Sequence, residues 1–288
     1  MELTIEKINK KFSKKIVLNN VSFTVSTGEI VALIGRSGSG KTTLLKILSG
    51  IYSQDSGEIG IKGVDNKNIK KQLIYIPDRF DYFKNSKIKK VCEFYKLAYE
   101  NFDEQYFKTE LEKIKLSQTS RLSELSKGQL AIFSLILGIS CRTKFIFLDE
   151  PLDGIDVINT KMIVDYILDA QSEGIGLLIC SHQLNALENI SDKVVYLDDG
   201  VGVSEEINKD EYSKYQLVYQ EKISEELRRN PDVRIISNIG RVYVVIMKGS
   251  YDATYDIIQD KDLLQYDKLP IVLEDIFLLN SKGEDENV

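Results

Sequence analysis

The run Gly35-Arg-Ser-Gly-Ser-Gly-Lys41-Thr42 constrains this chain more than any other feature. It fits the pattern GxxxxGK[ST], in which a Gly-rich turn joins a strand to a helix and its backbone N–H groups point inward at phosphate oxygens. The flanks agree with that reading. Glu29-Ile-Val-Ala-Leu-Ile34 is a continuous apolar run, as a strand buried on both faces should be. A helix is expected from about Thr42 to Ser49. Gly35, Ser37, Gly38, Ser39 and Gly40 form the cradle, Lys41 reaches the outer phosphates, and the Thr42 hydroxyl is suited to ligate Mg²⁺, with Thr43 beside it. The bland alternative is an ordinary Gly-rich strand-to-helix turn, and the strand-loop-helix context argues against it.

Two further apolar runs, Phe145-Ile-Phe-Leu148 and Gly176-Leu-Leu-Ile-Cys180, read as parallel strands separated by a helix near Ile158 to Gln171. The first ends in Asp149-Glu150. Ligands of open parallel sheets sit at the carboxyl ends of strands, so Asp149 is suited to the Mg²⁺ shell and Glu150 to orienting or deprotonating an attacking water. Alone, a strand ending in two carboxylates is also consistent with a charged turn. Leu125-Ser-Lys-Gly-Gln129 just upstream carries Ser126 three residues before Gln129, a capping box opening a helix from Lys127 to Ser140. A capped helix N-terminus presents free N–H groups and a positive dipole, which suits a phosphate.

With these motifs in this order, the first ~210 residues resemble an ABC transporter ATPase subunit. The resemblance implies a P-loop ABC ATPase fold of class α/β: a RecA-like parallel sheet core, an antiparallel β layer and a helical subdomain. It implies ATP and Mg²⁺ as ligands. It also implies that Ser126, Gly128 and Gln129 of one chain meet the ATP held by another, in a head-to-tail dimer with two composite sites. His182, the chain's one histidine, matches the family's γ-phosphate switch histidine; the plain alternative is an incidental residue. Asp156, in Pro151-Leu-Asp-Gly-Ile-Asp156, matches a carboxylate that carries contacts across the dimer, or is a solvated turn residue. Phe12 matches an aromatic that stacks on adenine, or is a core side chain. Two positions depart from the family pattern. Asp78 stands where the family has a Gln that touches Mg²⁺, and either meets the metal or ends an ordinary Pro-Asp turn. Leu130 stands where an Arg often follows the signature.

The segment Arg79 to Ser123 is rich in Lys, Glu and aromatics at helical spacing and reads as a helical insertion, with the subdomain spanning about 79–130. Lys193 to Leu197 reads as one more strand. The pattern then restarts, and residues 213–288 read as a small α+β domain following an ATPase domain of residues 1–212. Strands are expected at Gln216–Gln220 and Val233–Met247, helices at Ile223–Arg229 and Tyr251–Asp260, and a disordered tail from Ser281. The lysine clusters Lys10–Lys15 and Lys84–Lys90 read most simply as solvated faces, with contact to anionic lipid as a lesser option.

Composition narrows the function classes. A net charge of −6 and a pI near 5.2 argue against a broad nucleic-acid-binding face. Cys92, Cys141 and Cys180 form no CxxC pair, which fits a reducing compartment and argues against structural zinc. The first residues lack the apolar stretch of a signal peptide. The apolar run Leu130–Cys141 falls short of the ~20 residues a spanning helix needs. The expectation is a cytoplasmic ATPase, held at the membrane through a permease, working with a second ATPase subunit of the same or a related chain. Leu273-Glu-Asp-Ile-Phe277, Tyr99-Glu-Asn-Phe102-Asp103 and the Leu-Ser-Lys-Gly form of the signature resemble subunits of ABC-2-type exporters, which suggests export of peptides, toxins or drugs. A soluble ABC ATPase that remodels ribosomes or nucleoprotein is the alternative. Such proteins usually carry two ATPase units per chain, and this chain has one.

Overall fold

Alternating residues near the N-terminus make an antiparallel layer, and uninterrupted apolar runs make a parallel sheet that shares its core. The computed structural model describes residues 1–181, 187–198, 201–205, 211–259, 261–272, 275–276 and 279. β1 (Glu2–Phe12) pairs antiparallel with β2 (Lys15–Ser26). Leu3, Ile5 and Ile8 of β1, with Val21, Phe23 and Val25 of β2, are buried as the inward half of the layer. β3 (Ile30–Ile34) is buried at every position. α1 (Lys41–Leu48) follows the glycine loop and packs Leu44, Leu45, Ile47 and Leu48 into the same core. β4 (Ser56–Ile61) completes a three-stranded layer in the order β2-β1-β4.

β5 (Leu73–Ile76) is followed by the inserted helices α2 (Ile88–Ala98) and α3 (Glu104–Lys113), then α4 (Lys127–Ser140). Asp103 caps α3 by accepting from the Tyr106 N–H at 2.9 Å. Arg142, just past α4, bonds Asp103 at 2.8 Å and Glu173 at 2.7 Å, tying the insertion to the main body. β6 (Phe145–Asp149), α5 (Val157–Ser172), β7 (Gly176–Ser181), β8 (Lys193–Asp198) and β9 (Val201–Glu205) complete this unit. The sheet runs β5-β6-β7-β3-β8-β9, parallel throughout except for the β8/β9 pair. The carboxyl ends of β3, β6 and β7 therefore share one edge, and the glycine loop leaves from that edge.

The chain divides into two compact units, Met1–Glu205 and Glu206–Val288. The boundary expected near Ser213 lies earlier, because Tyr212 and Ser213 already belong to β10 (Tyr212–Tyr219), a strand of the second unit. That unit continues with α6 (Glu225–Arg229), β11 (Val233–Ile239), β12 (Val242–Lys248), α7 (Tyr251–Ile258) and β13 (Leu263–Lys268). Its antiparallel sheet has the order β11-β12-β10-β13. The expected strand Val233–Met247 is a hairpin, turning at Gly240 with φ 62°. Tyr215, Leu217, Tyr219, Tyr243, Val245 and Met247 face Leu227 and Ile258 in a separate core. Of the segment Leu273–Phe277, only Asp275 and Ile276 are among the described residues, and both are buried.

Candidate nucleotide site

The glycine loop takes its shape from close backbone approaches. Gly40, the residue before α1, has φ 103°, a left-handed conformation that favours glycine. A Cβ there would lie 2.8 Å from the Val17 carbonyl oxygen and 2.9 Å from Leu18 Cδ2. The first N–H groups of α1 therefore open onto a cleft of about 780 Å³ lined by Val17, Ser37, Gly38, Gly40, Lys41, Thr42, Thr43 and Glu150. Lys41 is buried, and its Nζ donates to the carbonyls of Gly35 at 2.7 Å and Arg36 at 3.2 Å. Ser39 Oγ is buried and makes no hydrogen bond among the described residues.

The carboxyl end of β6 meets this loop. Asp149 is buried, and its two oxygens have different partners. Thr42 Oγ1 donates to Oδ1 at 3.1 Å, and the Tyr75 hydroxyl donates to Oδ2 at 2.9 Å. Burial pushes the Asp149 carboxyl above its ordinary value, against the two hydrogen bonds, which lower it; the nearby Asp78 charge raises it further. Glu150 has φ 50°, a left-handed conformation that costs a side-chain-bearing residue about 1–3 kcal/mol and persists only where the surroundings impose it. Here its N–H donates to the Cys180 carbonyl of β7 at 2.9 Å, and its own carbonyl accepts from the Asp153 N–H at 3.2 Å. Asp78 follows β5 and lines a small recess together with Asp149 and Glu150. Its carboxylate lies 3.5 Å from Arg79 Nε.

Ser126 caps α4. Its Oγ accepts from the Gln129 N–H at 3.2 Å, and the Gln129 side chain accepts from the Ser126 N–H at 3.0 Å, so both halves of the capping box form. Gly128 is held close to α5: a Cβ there would lie 2.6 Å from Asn159 Nδ2. Asp156 caps α5, accepting from the N–H groups of Ile158 and Asn159 at 3.0 and 3.1 Å. Phe12 is 43% exposed, so it is no core side chain; it packs edge-on to Tyr52 with ring centroids 5.7 Å apart. Neither Phe12 nor Ser126 is among the residues lining the cleft. His182 lies outside the described residues.

A family model described as ABC transporter matches residues 18–153. The uncharacterized ABC transporter ATP-binding protein MJ1023 of Methanocaldococcus jannaschii is 31% identical over 207 residues, which is 70% of this chain and 76% of that protein. The chain belongs to the ABC transporter ATP-binding proteins. ABC transporter ATP-binding protein YtrB of Bacillus subtilis is 28% identical over 290 residues, covering 98% of this chain and 99% of that protein. The ribose import ATP-binding protein RbsA of Clostridium tetani is 35% identical over 224 residues, covering 72% of this chain and 44% of that protein. Among solved structures, an ATP-binding subunit of an ABC transporter superposes with TM-score 0.66 at 23% identity, covering 73% of this chain and 91% of that one, a likeness of fold. An ATP-binding cassette in its ADP conformation superposes with TM-score 0.60 at 25% identity, covering 70% and 90%.

The fold is thus the P-loop ABC ATPase fold, and the chain is an ATP hydrolase that uses Mg²⁺. The site fits both ligands. Ser39 Oγ is a buried hydroxyl with a hydrogen bond to give, Lys41 stands over the loop carbonyls, and Asp149 is a buried carboxylate that a cation would stabilise. Thr42 and Asp149 would hold Mg²⁺, which when bound offsets charge on the phosphate oxygens. ABC ATPase subunits dimerise and work with membrane permeases. No helix among the described residues is long and apolar enough to cross a membrane.

Sequence reasoning missed Tyr75, which looks like one more apolar residue in Leu73-Ile-Tyr-Ile76. The available signal was a hydroxyl on the strand that precedes Asp78, since a buried phenol needs a partner. It also missed Val17 in the cleft wall and the ion pair between Lys127 Nζ and Asp153 Oδ2 at 2.6 Å.

Proposed function

We propose that two copies of this chain, or this chain and a related one, close head to tail around two Mg-ATP and drive a membrane exporter. One observation carries the dimer. Within a chain, Glu150 lines the phosphate cleft but the capped α4 N-terminus at Ser126 does not. A capped helix end that does not line its own chain's cleft is suited to the nucleotide of a second chain. In this reading the loop N–H groups and Lys41 grip the phosphates. Glu150 orients and deprotonates the attacking water, and His182 meets the γ-phosphate. Gly128, Gln129 and Asp156 contribute across the interface, and Phe12 stacks on adenine. Closure pulls on the permease, which docks beside the insertion around α2 and α3.

Export of a peptide, toxin or drug is supported by the exporter-like segments at Tyr99–Asp103 and Leu273–Phe277 and by the Lys127 form of the signature. The relatives include an import ATP-binding protein, RbsA, which matches 72% of this chain, so the export reading rests on these segments alone. Co-purification with the permease and mass spectrometry of bound cargo tests the direction and substrate class; a periplasmic-type binding protein in the complex would argue for import. Light scattering of Glu150→Gln tests the dimer. We expect a monomer without nucleotide, a dimer with Mg-ATP, and no dimer in Glu150→Gln/Ser126→Arg despite retained ATP binding. A dimer that ignores both nucleotide and Ser126→Arg contradicts the head-to-tail arrangement.

A further inference from the structure

Asp149 is fixed from two sides, and only one of those sides belongs to the phosphate loop. Tyr75 sits on β5 opposite Phe147 of β6. Side chains two residues apart on a strand share a face, so Phe147 and Asp149 point to the same side, and Tyr75 reaches Asp149 diagonally. Its hydroxyl donates to Oδ2 at 2.9 Å while Thr42 holds Oδ1 at 3.1 Å. A carboxylate with one hydrogen bond can turn about its terminal torsion, which is broad. With a donor on each oxygen the plane of the group is set, and each oxygen keeps a lone pair for a metal or a metal-bound water. The phenol packs against the same core as its neighbours, so a Phe would fill the position equally well; only the hydroxyl is specific to Asp149.

We infer that Tyr75 is a positioning residue for the metal site, holding the Asp149 carboxylate in the orientation that receives Mg²⁺. This rests on the reading that Asp149 holds the metal. The Tyr75 hydroxyl makes no contact with nucleotide in this scheme and acts through Asp149 alone. β5 runs directly into Pro77 and Asp78, so the same strand that orients Asp149 also carries another carboxylate of the recess.

The test compares Tyr75→Phe, Asp149→Asn and the parent by titrating a fluorescent ATP analogue, first in EDTA and then against rising free Mg²⁺. For Tyr75→Phe we expect unchanged metal-free affinity. We also expect a rise of about threefold to tenfold in the Mg²⁺ concentration that gives the half-maximal metal effect, the size of one hydrogen bond. Asp149→Asn should shift it further, and Tyr75→Met, which also lacks the hydroxyl, should match Tyr75→Phe. Should Tyr75→Phe lower the melting temperature while its Mg²⁺ curve superimposes on the parent's, the hydroxyl is structural and the inference is overturned. Should Asp149→Asn leave the Mg²⁺ curve unmoved, the reading beneath it fails, and the inference with it.

Discussion

Gly40→Ala isolates the cost of the phosphate loop's shape. The added methyl meets two penalties. The backbone at φ 103° is one that alanine rarely adopts, a strain of about 1–3 kcal/mol. The methyl also lies 2.8 Å from the Val17 carbonyl oxygen and 2.9 Å from Leu18 Cδ2, closer than Cβ atoms are found, and forcing such contacts apart costs about 1–3 kcal/mol. The sum is roughly 2–6 kcal/mol. A domain of this size loses about 2–4 °C per kcal/mol, so the melting temperature should fall by about 8–16 °C at the middle of that range. Gly38→Ala is the internal control. Its φ is 84°, yet a methyl there meets nothing within 4 Å, so only the strain applies. Calorimetry on the purified chain reads both values, and a fluorescent ATP titration should show weaker binding for Gly40→Ala, because Val17 lines the cleft. Equal melting temperatures for the two variants would show that the close contacts to Val17 and Leu18 cost nothing. A Gly40→Ala protein that melts and binds like the parent would show that the strained backbone costs nothing either.

Three other outcomes follow from local geometry. Glu104, bonded to Lys108 and Lys96, has its carboxyl held at about 2 against an ordinary 4.5. Its stabilising contribution is complete above pH 4.5 and disappears as pH falls toward 2, so Glu104→Gln should lower stability slightly at neutral pH and flatten the acid limb of a stability-versus-pH curve between about 4.5 and 2, where the variant and parent curves converge. Asp78→Gln should raise the Mg²⁺ needed for half-maximal hydrolysis without altering metal-free ATP binding; superimposable Mg²⁺ curves would leave Asp78 as a turn residue paired with Arg79. Lys127→Ala removes the ion pair to Asp153, which is half exposed, so urea unfolding should move by no more than about 1 kcal/mol; a larger loss would show that the pair is a structural strut.

Much of this fold was legible because its signals are local. β3, β6 and β7 are unbroken apolar runs, and the residues that end or follow them at one edge, Gly35 and Asp149-Glu150, announce a phosphate site. The Ser126–Gln129 capping box is likewise spelled in four consecutive residues. What escaped depends on pairing between distant segments. Tyr75 reaches Asp149 only because β5 lies beside β6, and Lys127 reaches Asp153 only because α4 packs against the loop before α5. The domain boundary depends on such pairing too: Tyr212 and Ser213, where it was expected, pair with Lys248 and Met247 of β12. The hairpin at Gly240 was hidden inside a run of β-forming residues, where one glycine alone marks the turn.

Glu150, held at φ 50° on the rim of the phosphate cleft, is proposed as the carboxylate that activates water for ATP hydrolysis. The most direct test measures turnover and ATP affinity together in Glu150→Gln, which keeps the size of the side chain and removes the base. A catalytic Glu150 gives ATP affinity like the parent's and a steady-state hydrolysis rate lower by at least about 100-fold. Hydrolysis near the parent rate would contradict that role.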